Sequence, residues 1–157
     1  GNEMSLDLSA MSEDYLGFLV GPYRCLMAVS AVHEVLETEG HVWSGQSHYE
    51  WRDQVLRVIT LRSIMQLDDS NQVQHVGIVY STGEEYLLLE VDKIVGLSAD
   101  TGHFFAMPKI RDSVLPQLFD AVYCDDQQRQ WLIWHLPLPV LLMNSILEEN
   151  LVLDRVS

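Results

Sequence analysis

Six histidines are the first residues to weigh for chemistry: His33, His41, His48, His75, His103 and His135. No two stand four residues apart, the spacing at which one helix face offers a metal two imidazoles. His41 and His48 share a polar stretch with Glu37, Glu39 and Glu50, a donor set that could take up a divalent cation adventitiously. Solvated loop side chains are the plainer reading, and no metal site is assigned. A cysteine nucleophile would need an imidazole beside its thiol. Cys25 instead opens the apolar run Cys25–Val29, where burial would raise the thiol pKa and blunt it. Neither Cys25 nor Cys124 sits in a CxxC pair, so both read as buried apolar thiols in a reducing compartment. Glu84-Glu85 and Asp125-Asp126 have turn character, whereas acid–base work needs two carboxyls facing each other across a cleft. GxSxG, HExxH, GxGxxG and P-loop patterns are absent. The chain is read as non-enzymatic, with no catalytic residue and no cofactor.

Binding residues are better marked. Arg62 follows the apolar strand end at Leu61 in a chain with few cations. Its guanidinium could fork onto a carboxylate or carbonyl of a partner, or pair internally with an acid such as Asp68. As an anchor it would reach outward, and Arg62→Ala would leave the melting temperature nearly unchanged. Arg129, placed in an exposed turn before Trp131, is the silent control. Val35 and Leu36 fit either an exposed apolar edge or a core. Trp51, Trp131 and Trp134 suit core or hairpin anchors, and Trp43, in a polar loop, is the one candidate for stacking on a ligand.

The elements that must position these residues are strands. Tyr15–Val20 and Cys25–Val29 flank the turn pair Gly21-Pro22 at hairpin distance. Val29, Val32, Val35 and Leu36 then step as a helical turn leading into another strand. A long loop is expected over Glu37–Asp53, a β-branched strand over Val55–Leu61 and a turn over Asp68–Gln72. His75–Tyr80, the turn Ser81–Glu85 and Tyr86–Val91 repeat the first hairpin, with Gly77 opposite Gly17. Val91, Ile94 and Leu97 repeat the valine stepping, at an offset of roughly 60 residues. Two copies of one supersecondary unit point to two small β-barrels, roughly 15–74 and 75–136, behind a loose N-terminus over 1–14. Leu118–Cys124 and Trp131–Trp134 form a further hairpin, Pro139–Leu147 is the best helix, and Glu148–Ser157 is a tail.

Composition narrows the function classes. At 157 residues with 48% hydrophobic and 20% charged, the chain can bury one proper core. Nine Lys+Arg against 23 Asp+Glu leave a net charge of −14. Such a surface repels phosphate backbones and anionic membranes, because both are bound chiefly by cations. Trp131–Met143, the most apolar stretch, is too short to span a bilayer. The opening residues lack the basic-then-apolar pattern of a signal peptide, and the expected location is cytoplasmic.

In order, the segments FLVGPYRCLMAVSAVHEVLE, VLRVITLRS, HVGIVYSTGEEYLLLEVDKIVGLS and FDAVYCDD…WLIWHL resemble the CheW-like domain of bacterial chemotaxis. Leu87–Asp92 with Ile94, Val95, Gly96 and Leu97 follow that family's VDxVxgv segment most closely. Departures fall at turns: the family's Arg-Gly is Arg62-Ser63 here, Met65–Asp68 is shortened, and His135 stands at an aspartate. The resemblance implies an all-β fold of two five-stranded SH3-like barrels with short helical turns and a C-terminal helix. It implies an adaptor for the regulatory domain of a CheA-type histidine kinase and for a chemoreceptor cytoplasmic hairpin. Its interaction residues would be Arg62, Leu61, Ser63, Val35 and Leu36. The alternatives are a divergent paralogue in a non-flagellar pathway such as type IV pilus motility, or a small-ligand or metal-binding domain using the 37–53 loop.

Overall fold

The computed structural model describes residues 14–39, 43, 46–68, 74–97 and 101–143. Thirteen residues at the N-terminus, the end of the 139–147 helix beyond Met143, the 148–157 tail and His41 lie outside them. The strands are β1 (Tyr15–Val20), β2 (Tyr23–Ala28), β3 (Val32–Glu39), β4 (His48–Trp51), β5 (Gln54–Thr60) and β6 (Gln74–Ser81). They continue with β7 (Tyr86–Val91), β8 (Lys93–Leu97), β9 (His103–Ala106), β10 (Phe119–Cys124) and β11 (Gln130–Trp134). Among the described residues, single-turn helices stand after β5 as α1 (Leu61–Ile64) and before β10 as α2 (Leu115–Leu118), and the expected C-terminal helix is present over 140–143. The fold is all-β, as two curled sheets of the SH3-like kind.

One sheet has six strands in the order β9-β10-β11-β2-β1-β8, and the other has five, β3-β6-β7-β5-β4. The first exceeds the expected five because β9 pairs with β10 from His103↔Cys124 to Ala106↔Ala121. The contiguous division into 15–74 and 75–136 does not hold. The hairpin β1–β2 lies in the six-stranded sheet, while β3, reached through a 3-10 turn at Val29–Ala31, crosses to the five-stranded one. The hairpin β6–β7 lies in the five-stranded sheet, while β8 crosses back after the single residue Asp92. The repeat is real, but each copy donates its third strand to the other copy's sheet. β3 pairs antiparallel with β6 and, equivalently, β8 with β1. β5 joins β7 in parallel, and β11 joins β2 in parallel.

The repeated glycines have matching jobs. A Cβ on Gly17 would lie 2.7 Å from the Val95 carbonyl oxygen, and one on Gly77 would lie 2.7 Å from Leu88 Cδ1 and 2.9 Å from the Trp43 ring. Each lets a neighbouring strand or indole close onto the sheet face.

The core has three parts because both faces of several strands are covered. Phe18, Val20, Cys25 and Met27 from one sheet meet Ile59, Ile78, Tyr80, Leu87 and Leu89 from the other, with Leu118, Phe119 and Trp134. This central layer belongs to both sheets. The opposite face of β7 sends Leu88 into a smaller cluster with Trp43, Leu56 and Val79. The opposite face of β2 sends Leu26 into a third, with Tyr123 and Trp131.

The polar 37–53 stretch is not one long loop. β3 runs on to Glu39, and His48–Trp51 is a strand paired with β5. Its alternation of exposed and half-buried positions places Tyr49 and Trp51 inward and His48 and Glu50 outward, so half of its polar residues are simply the solvated face. Trp43 is fully buried, so it is a core anchor and not a stacking platform. Trp51 Nε1 donates to Glu34 Oε1 at 2.7 Å, which draws the edge strands β4 and β3 together. Tyr15, Phe104 and Tyr123 link β1, β9 and β10 in the same manner, with ring centroids 6.0 and 4.9 Å apart.

Candidate protein-interaction surface

Asp92 stands where the chain leaves one sheet for the other, and three donors converge on it. Arg62 Nε reaches Oδ1 at 2.7 Å and an Nη2 donates to Oδ2 at 2.8 Å. The Gly21 N–H also donates to Oδ2 at 2.8 Å, and the Asp92 N–H itself donates to the Leu19 carbonyl at 2.9 Å. A further Arg62 nitrogen donates to the Asp68 carbonyl. The guanidinium therefore does not reach outward as expected. It is folded onto the crossing between the sheets, and the acid it pairs with is Asp92. The local sequence explains the pose: α1 is one turn, ended at Met65 and followed by Gln66 with φ of 58°, which curls the chain back over Arg62.

The other candidate residues divide into two groups. Leu61 is fully buried in the central core and Ser63 is exposed beside Arg62 on α1. Val35 and Leu36 lie on β3, at the far edge of the five-stranded sheet. Val35 pairs with Ile78 on the central-core side but stays 36% exposed, whereas Leu36 packs half-buried on the Trp43 cluster. Accessible groups are thus Ser63 and Val35, and Leu61 and Leu36 hold the backbone beneath them.

Arg129 is not a bare surface cation. It donates to the Asp125 carboxylate at 2.8 Å and lies over the Trp131 ring. Asp125 also accepts from the Trp131 indole at 3.0 Å and from the Gln127 and Arg129 N–H groups at 2.9 and 2.8 Å. Burial alone would push this carboxyl up, but those donors outweigh it and hold Asp125 well below the usual carboxylate range. This buried acid is a functional anchor of the fold that its Asp-Asp turn signature only partly announced.

Among the described residues, no group of three His, Cys, Asp or Glu is placed to hold a metal ion. His48 is exposed, with its ring 2.9 Å from Ser47 Oγ. Both cysteines are free; Cys25 is buried, which pushes its thiol up, while Cys124 is only half-buried, less than expected. No described helix is long and apolar enough to cross a membrane.

Two interleaved SH3-like sheets around a shared core, with a polar hub at the Asp92 crossing, define a two-barrel all-β fold. The sequence matches the family model "CheW-like domain" over residues 14–116, and the chain belongs to that family. The fold is similar to that of the scaffolding protein TtCheW from Thermoanaerobacter tengcongensis, with a TM-score of 0.61 at 13% identity, over 79% of this chain and 89% of that one. No curated protein matches the sequence.

Proposed function

We propose that this CheW-like protein is a non-catalytic adaptor that joins the regulatory domain of a CheA-type histidine kinase to a chemoreceptor hairpin. The family match over 14–116 carries the reading. It is supported by a polar lock between the two sheets, where Arg62 forks onto Asp92 at the crossing. The accessible contacts on the candidate surface are Ser63 on α1 and Val35 on the β3 edge, with Arg62, Leu61 and Leu36 fixing their positions.

The test is calorimetric titration of the full chain with a purified kinase regulatory domain. Saturable binding is expected, weakened about tenfold, or ~1.4 kcal/mol, by Val35→Glu or Ser63→Glu with unchanged melting temperatures. Absence of binding, or binding indifferent to both changes, would remove the kinase and these contacts respectively. A pulldown with a receptor cytoplasmic fragment tests the second partner separately.

A further inference from the structure

Acids outnumber cations 23 to 9 in this chain, and half of the described cations are tied up by carboxylates. Arg52, Arg57, Arg62 and Arg129 are paired with Glu34, Glu85, Asp92 and Asp125. Arg24, Lys93, Lys109 and Arg111 are exposed and form no ion pair among the described residues. Of these, Arg24 and Lys93 are neighbours across a strand. Leu19 on β1 stands in register with Arg24 on β2 and with Lys93 on β8. Residues so registered point to one face of a sheet, and here Phe18 and Val20 on either side of Leu19 turn the other way into the central core. The row Lys93–Leu19–Arg24 is therefore a half-buried leucine flanked by two free cations. On the same face, a Cβ at Gly17 would lie 3.4 Å from the Trp131 ring, over which Arg129 lies. The neighbouring ion pairs, Arg62 with Asp92 and Arg129 with Asp125, cancel their own charge. Among the described residues, the row itself carries two positive charges on an acidic molecule.

We propose that the row Lys93–Leu19–Arg24 docks a partner helix bearing two carboxylates seven residues apart about an apolar residue. Two strand spacings separate the backbone rows that carry the cations by about 10 Å. Seven residues of α-helix advance about 10.5 Å, and the residue three or four positions along faces the same side to meet Leu19. A partner strand would instead present like-facing carboxylates about 7 or 13 Å apart, straddling that distance. A second copy of this chain is a poor occupant, because each copy carries −14 and the copies repel on approach. The inference rests on the adaptor reading and names the chemistry of one partner.

The experiment uses the full chain and a fluorescein-labelled, helix-forming peptide with glutamates seven positions apart and a leucine midway. Fluorescence anisotropy should show saturable binding at about 50 mM salt that weakens severalfold at about 300 mM. Arg24→Glu/Lys93→Glu should weaken it at least roughly tenfold without changing the melting temperature, while Arg52→Glu, distant on β4's turn, should not. Failure of the peptide to bind, equal binding by the reversed variant, or equal binding by a peptide with glutamates two positions apart overturns the proposal. So does sedimentation showing a dimer that the reversal dissociates, since the occupant would then be a second copy. Kinase regulatory-domain binding is measured on the same samples. Kinase bound and peptide refused sinks the docking row alone, and peptide bound with kinase refused sinks the kinase reading alone.

Discussion

A forked ion pair at the Asp92 crossing is worth more than a surface contact, because both side chains are largely covered and both carboxylate oxygens are taken. Arg62→Ala should therefore destabilise the fold by about 2 kcal/mol, leaving Asp92 half-buried and under-paired. Arg62→Lys should recover less than half of that, since an ammonium cannot bridge two oxygens at once. Urea titration of both variants and of Arg62→Ala/Asp92→Ala checks this; losses that simply add would show that the two side chains act independently. Asp125 carries a pH signature. Its folded pKa is depressed, so its contribution is present above about pH 4, the unfolded value, and is lost as pH falls toward the folded one. Asp125→Asn should lower the melting temperature by roughly 5–10 °C at neutral pH. The gap between wild type and variant should narrow as pH drops below about 4. A gap constant down to pH 2 would mean that the carboxylate charge is irrelevant there.

Among elements, the β1–β8 seam and the packing of β6 under the Trp43 cluster depend on glycine. Gly17→Ala forces a methyl against a backbone carbonyl, and Gly77→Ala forces one against Leu88 and the Trp43 indole. Each should cost about 1–3 kcal/mol, whereas Gly96→Ala, with open space at its Cβ, should cost far less. Chemical denaturation of the three variants tests the order. These glycines were legible as a repeat, since Gly17 and Gly77 hold matching places in matching hairpins. The strands with alternating or β-branched residues, such as Val76–Tyr80 and Tyr86–Val91, were legible for the same local reason. β4 was not, because HYEW alternates around residues that all have polar or amphipathic side chains, and the aromatic inward face reads as loop. Trp43 was misjudged likewise: its burial comes from Gly77 and Leu88, both remote in sequence. The Arg62 fork was hidden because Asp92 belongs to the second copy of the repeat, and which acid meets a cation is a tertiary fact.

Over the whole molecule, the central core draws from both sheets and each copy of the repeat completes the other. Thermal unfolding should be a single cooperative transition, and two well-separated calorimetric peaks would contradict it. A fragment ending at Asp68 should remain unfolded alone, because β3 would lack β6 and β5 would lack β7. Mixed with the fragment beginning at Gln74, it should regain strand circular dichroism. Recovery of native signal by either piece in isolation would mean that a half folds by itself.

The exchange of β3 and β8 also decides how load passes through the protein. Were the barrels contiguous, a pull between a partner on one and a partner on the other would fall on a linker, which yields by bending. Here the same pull slides β8 along β1 and β3 along β6, two antiparallel ladders strained lengthwise, with every hydrogen bond of each resisting together. Tension on one side of the molecule therefore reaches the other through paired strands and not through a linker.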